Sequence, residues 1–172
     1  NKVTFTKSKV TFLNDKNFFT YRISRLEDNL QSIKTSKINL KENQHAFKYK
    51  FLSEKKISIV LGSKKGIIKS FSIYNYNESS NSWIEEKDHD LKPYNLEIKK
   101  SEKGWVSRSV AISPKGTHLS YIDLSAQKIK IFKFTNPIEV KEIKLRFHGG
   151  IFQQFFDKKG ESIIFSDRHG SV

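Results

Sequence analysis

The chain has 172 residues and carries 32 lysines and arginines against 18 aspartates and glutamates, a formal net charge of +14. That length suits one domain with a core of its own. The absence of cysteine excludes disulfides and thiolate metal sites and favours a reducing compartment. No apolar run approaches the roughly 20 residues of a membrane-spanning helix. No secretory signal pattern is present, although the chain begins at Asn1 rather than methionine. The aromatic share rests on 14 phenylalanines, which suits packed β-sheets. The positive charge is mostly lysine, with arginine only at Arg22, Arg25, Arg108, Arg146 and Arg168. It is read either as a habit of composition or as a surface for nucleic acid or acidic proteins.

In chain order, Val3 and Phe5 alternate with threonines, Val10 and Phe12 open a second strand, and Phe18 to Ile23 form a third after an Asn14–Asn17 turn. Residues 25–43 are polar, with Ile38 and Leu40 the hint of a strand. The pattern returns at Ala46, with Phe47, Tyr49 and Phe51 expected on one face. Ser53 to Lys56 turn the chain, Ile57 to Leu61 form a buried-looking strand, Gly62 to Gly66 turn it again, and Ile67 to Tyr74 close the unit. Residues 75–93 are rich in Asn, Ser and acids and lack periodicity, so they are expected to form an exposed insertion loop. Leu96 and Ile98 suggest a strand leading into the next unit.

The clearest unit follows. Strand Ser109–Ser113, turn Pro114-Lys115-Gly116, strand Thr117–Asp123, turn Leu124–Gln127 and strand Lys128–Phe134 show period-two alternation bounded by turn residues. A helix would have to run through Pro114-Lys115-Gly116 and is rejected. Ile138 to Leu145 alternates again. Ile151 to Phe156, a turn at Asp157–Gly160 and Ser162 to Ser166 begin a last unit, and a further turn starts at Asp167.

The turns beginning at Ser53, Ser113 and Asp157 mark a repeat of roughly 40 to 50 residues, which points to four-stranded propeller blades. The sequence therefore reads as all-β, part of a propeller with about three and a half antiparallel blades, against the 4–8 of a closed ring. The blades are placed at about 1–24, 36–74, 95–134 and 138–172, in one domain spanning 1–172. An open stack leaves faces uncovered, so the units read as part of a larger propeller.

The strand–turn–strand core in SVAISPKGTHLSYIDLSAQKIKIFKF, FKYKFLSEKKISIVLGSKKGIIKSFSIYN and FQQFFDKKGESIIFSDRHGSV resembles that of the WD40-repeat family. The family's Gly-His dipeptide is absent, with His148-Gly149 in reverse order. Its Trp-Asp ending is replaced by Tyr21-Arg22, Ile73-Tyr74 and Phe132-Lys133, and its turn acid survives as Asp167. The lysine-rich blades are also similar to WD-repeat subunits of the small-subunit processome. That resemblance implies a non-enzymatic scaffold in a multi-protein ribosome-biogenesis complex, located in the nucleus or nucleolus. The alternative is a direct RNA-binding module.

No catalytic constellation is legible, and no enzyme activity, cofactor, metal, membrane partner or small-molecule substrate is expected. Gly62-Ser63-Lys64-Lys65-Gly66 lacks the spacing of a phosphate loop. Asp88-His89-Asp90 reads as a solvated polar run. His45, His118, His148 and His169 are dispersed and read as turn or structural residues. Trp83 is either folded back onto its blade or exposed as a protein-contact anchor, and Trp105 is expected in the core. Lys55, Lys56, Lys115, Lys158 and Lys159 fall in equivalent turns, taken as those between the second and third strands. They form a candidate basic rim for RNA or an acidic partner, the alternative being ordinary solvated turn tips.

Overall fold

The computed structural model describes residues 2–6, 9–14, 17–23, 30–38, 40–41, 43–98, 109–123, 126–144 and 151–167. They form fourteen β-strands, with a 3-10 turn at Lys92–Tyr94. The first blade holds β1 (Lys2–Thr6), β2 (Lys9–Asn14), β3 (Asn17–Ile23) and β4 (Leu30–Ile38). The second holds β5 (His45–Ser53), β6 (Lys56–Gly62), β7 (Ile68–Asn77) and β8 (Ser82–Asp90). The third holds β9 (Val110–Ile112), β10 (His118–Asp123), β11 (Lys128–Lys133) and β12 (Glu139–Lys144). Strands β13 (Ile151–Phe156) and β14 (Ile163–Asp167) begin a fourth.

Within each blade, consecutive strands pair antiparallel. The first two blades also touch through a short parallel pairing of β4 with β8, at Lys37–Ser82 and Ile38–Trp83. The innermost strand β9 lies against β5 on one side and β13 on the other, as neighbouring blades of a propeller do.

Apolar residues facing each seam hold the stack together. Ile38 and Leu40 meet Tyr49, Ile57, Ile59 and Trp83 between the first and second blades. Phe47, Val60 and Phe71 meet Val110, Leu119 and Phe132 between the second and third. Ile122 and Ile129 pack with Phe165 between the third and fourth. Each fully buried side chain of this kind contributes about 1.5–3 kcal/mol of transfer free energy.

Three boundaries differ from the sequence reading. The strands assigned to the openings of the 36–74 and 138–172 units are largely β4 and β12, which close the preceding blades by pairing with β3 and β11. Leu96 and Ile98 do not lead into the third blade; they run beside the start of β7, where Ile68 N donates to Leu96 O and Ile98 N to Gly66 O, both at 2.9 Å. The 75–93 stretch is no loop, since it holds the end of β7 and all of β8. As an outermost strand, β8 buries only Trp83 and His89, so no alternation of apolar residues marks it. A further difference lies in β5. A bulge between Ala46 and Lys48 turns Phe47 toward the third blade, while Tyr49 and Phe51 face the first.

Candidate functional site

After that bulge, alternate residues of β5 address the third blade, and the first two are lysines. The strand β9 pairs with β10 along one edge only. Ser113 N donates to His118 O at 3.0 Å, so the main chain of Ala111 and Ser113 faces β10 and the carbonyls of Val110 and Ile112 face away. Buried carbonyls of this kind need donors. Lys48 Nζ donates to Val110 O at 2.6 Å, and Lys50 Nζ donates to Ile112 O at 3.2 Å. Two ammonium groups therefore sit in register along the innermost part of the seam.

Their environment is costly for charge. Burial pushes the Lys48 ammonium down to about 8, and the neighbouring Lys50 charge adds to the effect. Burial also lowers Lys50 from the ordinary lysine value. Lysine in this state can carry or release a proton near neutral pH, which solvated lysine cannot.

The flanking groups are polar too. Tyr121 Oη, on the strand behind β9, donates to Glu97 O at 2.6 Å. In the next seam, Ser120 Oγ donates to Gln154 Oε1 of β13 at 2.6 Å, while the Gln154 amide nitrogen has no partner among the described residues. Sequence reasoning missed Lys48 and Lys50. Their signal is the run Phe47-Lys48-Tyr49-Lys50-Phe51, in which lysine takes alternate positions of an innermost strand.

The turns with the five sequence-selected lysines join the first and second strands of their blades, not the second and third. They do gather at one end. A Cβ on Gly116 would lie 2.7 Å from Leu52 Cδ1, and one on Gly160 would lie 3.1 Å from Pro114 Cδ. Lys55 pairs with Glu78 at 2.8 Å and Lys56 with Glu86 at 2.7 Å, so two of the five are compensated by the β7–β8 hairpin. Lys115, Lys158 and Lys159 are exposed on the other two turns.

Trp83 is not an exposed anchor. It is 4% exposed, its Nε1 donates to Ser36 Oγ at 2.9 Å, and its ring packs on Phe51 and Tyr76. Of the Asp88-His89-Asp90 run, Asp88 accepts from Ser72 Oγ and Asp90 caps Lys92 N, while His89 is buried against Phe71 and Phe134. His45 packs on Phe47, and His118 lies against Phe156 with its Nδ1 2.9 Å from Thr117 Oγ1. His148, His169 and Trp105 lie outside the described residues. Among the described residues, no three His, Cys, Asp or Glu side chains converge as a metal-ligand set.

No family model matches the sequence, and no curated protein does. Solved structures do resemble the fold. A candidate 6-phosphogluconolactonase from Bacteroides uniformis superposes with a TM-score of 0.52 at 10% identity, over 97% of this chain and 47% of that one. Another from Bacteroides fragilis gives 0.47 at 15%, over 84% and 38%. The periplasmic gluconolactonase of Pseudomonas aeruginosa gives 0.43 at 8%, over 84% and 39%. The chain thus spans less than half the length of each. At these identities the likeness is one of fold, that of a β-propeller.

These likenesses correct the family reading. No family model matches, and the structure that superposes with a TM-score of 0.52 is named as a candidate 6-phosphogluconolactonase, not as a WD40-repeat or ribosome-assembly protein. Corrected with it are the expectation of a non-enzymatic scaffold in a multi-protein complex, the RNA-binding alternative, and the expectation, drawn from the missing catalytic constellation, of no enzyme activity and no small-molecule substrate. The physical reason is that a strand–turn–strand period with four strands per unit is common to propellers in general. It identifies the architecture and leaves the family open.

Proposed function

We propose that this chain is part of a propeller enzyme that binds a small molecule at the Lys48–Lys50 seam and opens a ring ester, a lactone, with water. The observation that carries the reading is the Lys48 ammonium, fixed on the Val110 carbonyl between two innermost strands and brought down to about 8. The lactonase names of the structures that share the fold support it. In the reaction, neutral Lys48 takes a proton from water as the water oxygen bonds to the lactone carbonyl carbon. The tetrahedral adduct then breaks its ring C–O bond, and the proton passes from Lys48 to the departing ring oxygen. The product is a hydroxy acid, equal in atoms to lactone plus water. A base with a pKa near the working pH combines availability with driving force.

The test is hydrolysis of sugar lactones, phosphorylated and unphosphorylated, by the full-length protein between pH 6.5 and 9.5. Opening above the spontaneous rate, rising through pH 8 and lost in Lys48→Met, is the expected result. No opening above the spontaneous rate, or equal rates in Lys48→Met, overturns the reading.

A further inference from the structure

We propose that Lys48 and Lys50 together form a binding site for a small oxyanion, a carboxylate or a phosphate, in the seam between the second and third blades. The two side chains leave the same face of β5 and are spaced by the strand repeat. Each is anchored by a hydrogen bond to a successive outward carbonyl of β9, at 2.6 and 3.2 Å. Anchoring on neighbouring carbonyls fixes the direction of both stems, and the Lys50 ammonium, with three donors, gives one of them to Ile112 O. Two like charges held side by side and partly withdrawn from water are a standing cost to the fold. An oxyanion placed across both relieves the repulsion and replaces lost solvation with charge-assisted hydrogen bonds.

The surroundings favour the same charge. β9 offers only backbone and the apolar side chains of Val110, Ala111 and Ile112. On β6, Ser58 Oγ donates to Lys50 O and Val60 is apolar. Among the described residues of β10 that pair with β9, the titratable one is Tyr121, whose hydroxyl donates to Glu97 O. Binding of an anion has a consequence for Lys48, because a negative partner favours its protonated form. If the ring-opening reading above holds, the hydroxy acid product is such an anion, and it inhibits the enzyme by keeping the base protonated.

The experiment is titration of the full-length protein with acetate and with inorganic phosphate, against chloride at matched ionic strength. It is followed by NMR of isotopically labelled lysine side chains. Saturable shifts at Lys48 and Lys50, weakened about tenfold in Lys50→Met, retained in Lys50→Arg and fading above pH 8, are expected. The relative affinities of acetate and phosphate identify which oxyanion the site prefers. Shifts equal to those with chloride, or unchanged affinity in a Lys50→Met protein whose melting shows it folded, overturn the proposal. Anion binding without lactone opening sinks the ring-opening reading and leaves this one standing. Opening without anion binding does the reverse.

Discussion

The Lys48 ammonium lies 2.6 Å from the Val110 carbonyl oxygen, joining the innermost strand of one blade to the innermost strand of the next. Lys50 repeats the contact on Ile112, one strand repeat further along. Among the described residues β9 has no backbone partner on the edge that faces β5, so its outward carbonyls need other donors. Here lysines supply them. A structural need for donors has placed two cations side by side in the seam between the second and third blades.

The first consequence is a stability that depends on alkaline pH. Lys48 sits at about 8 in the fold, against 10.5 for ordinary lysine. Between those values the unfolded chain binds more protons than the folded one, so stability rises with pH across the window and the full penalty applies below 8. At about 1.4 kcal/mol per pKa unit, the gain amounts to about 3 kcal/mol. Urea unfolding at pH 7, 8, 9 and 10 measures it. The Lys48→Met protein is expected to lose this slope, and an unchanged slope would show that Lys48 titrates normally.

His89 gives the fold a sensitivity on the acid side. Burial first, and then the Lys87 charge, lower its pKa below the usual histidine value. Its ring centroid lies 4.5 Å from that of Phe134, which belongs to the next blade and stacks on Phe71 at 4.3 Å. As pH falls below 6.5 the unfolded chain takes up the proton before the folded one, so stability falls. His118 is lowered for a similar reason and adds to the trend. The His89→Phe protein is expected to keep part of the stability that the unaltered protein loses between pH 6.5 and 5, read by thermal melting at each pH.

The elements legible in the sequence were those whose turns demand particular residues. Gly116 and Gly160 have φ of +69° and +79°, as glycines closing tight turns do, and the strands beside them alternate cleanly. The outer strand β8 was not legible, because a strand with one wet face, whose outer edge is paired only at Ser82 and Trp83, is under little pressure to be apolar. Missing it also hid Glu78 and Glu86, which compensate Lys55 and Lys56. The lysine pair was invisible for another reason. A lysine in a strand reads as solvent-facing until the neighbouring blade's unpaired carbonyls are seen.

Gly62 and Gly160 separate two reasons for glycine. A Cβ on Gly62 would lie 2.1 Å from Ile67 O and 2.2 Å from Phe47 Cε2, and the backbone oxygen cannot yield. Gly62→Ala is expected to cost about 3 kcal/mol through overpacking. At Gly160 the closest atom is 3.1 Å away and the strain is conformational, so Gly160→Ala is expected to cost about 1–2 kcal/mol. Urea midpoints for the two proteins rank the effects, and the reverse order would refute the packing at Gly62.

Trp83 closes the seam between the first two blades, and its two roles can be separated. The indole Nε1 donates to Ser36 Oγ, which is itself 5% exposed, while the ring packs edge-on against Phe51 at 5.8 Å. Ser36→Ala leaves the buried indole N–H without this acceptor, at a cost of about 1–2 kcal/mol. Trp83→Phe removes the donor, strands the serine hydroxyl and leaves a void, at about 2–3 kcal/mol. The double variant is expected to cost less than the sum of the two, because each single change breaks the same hydrogen bond. Thermal melts of the three proteins close the cycle. Strict additivity would mean that Trp83 and Ser36 do not share that bond.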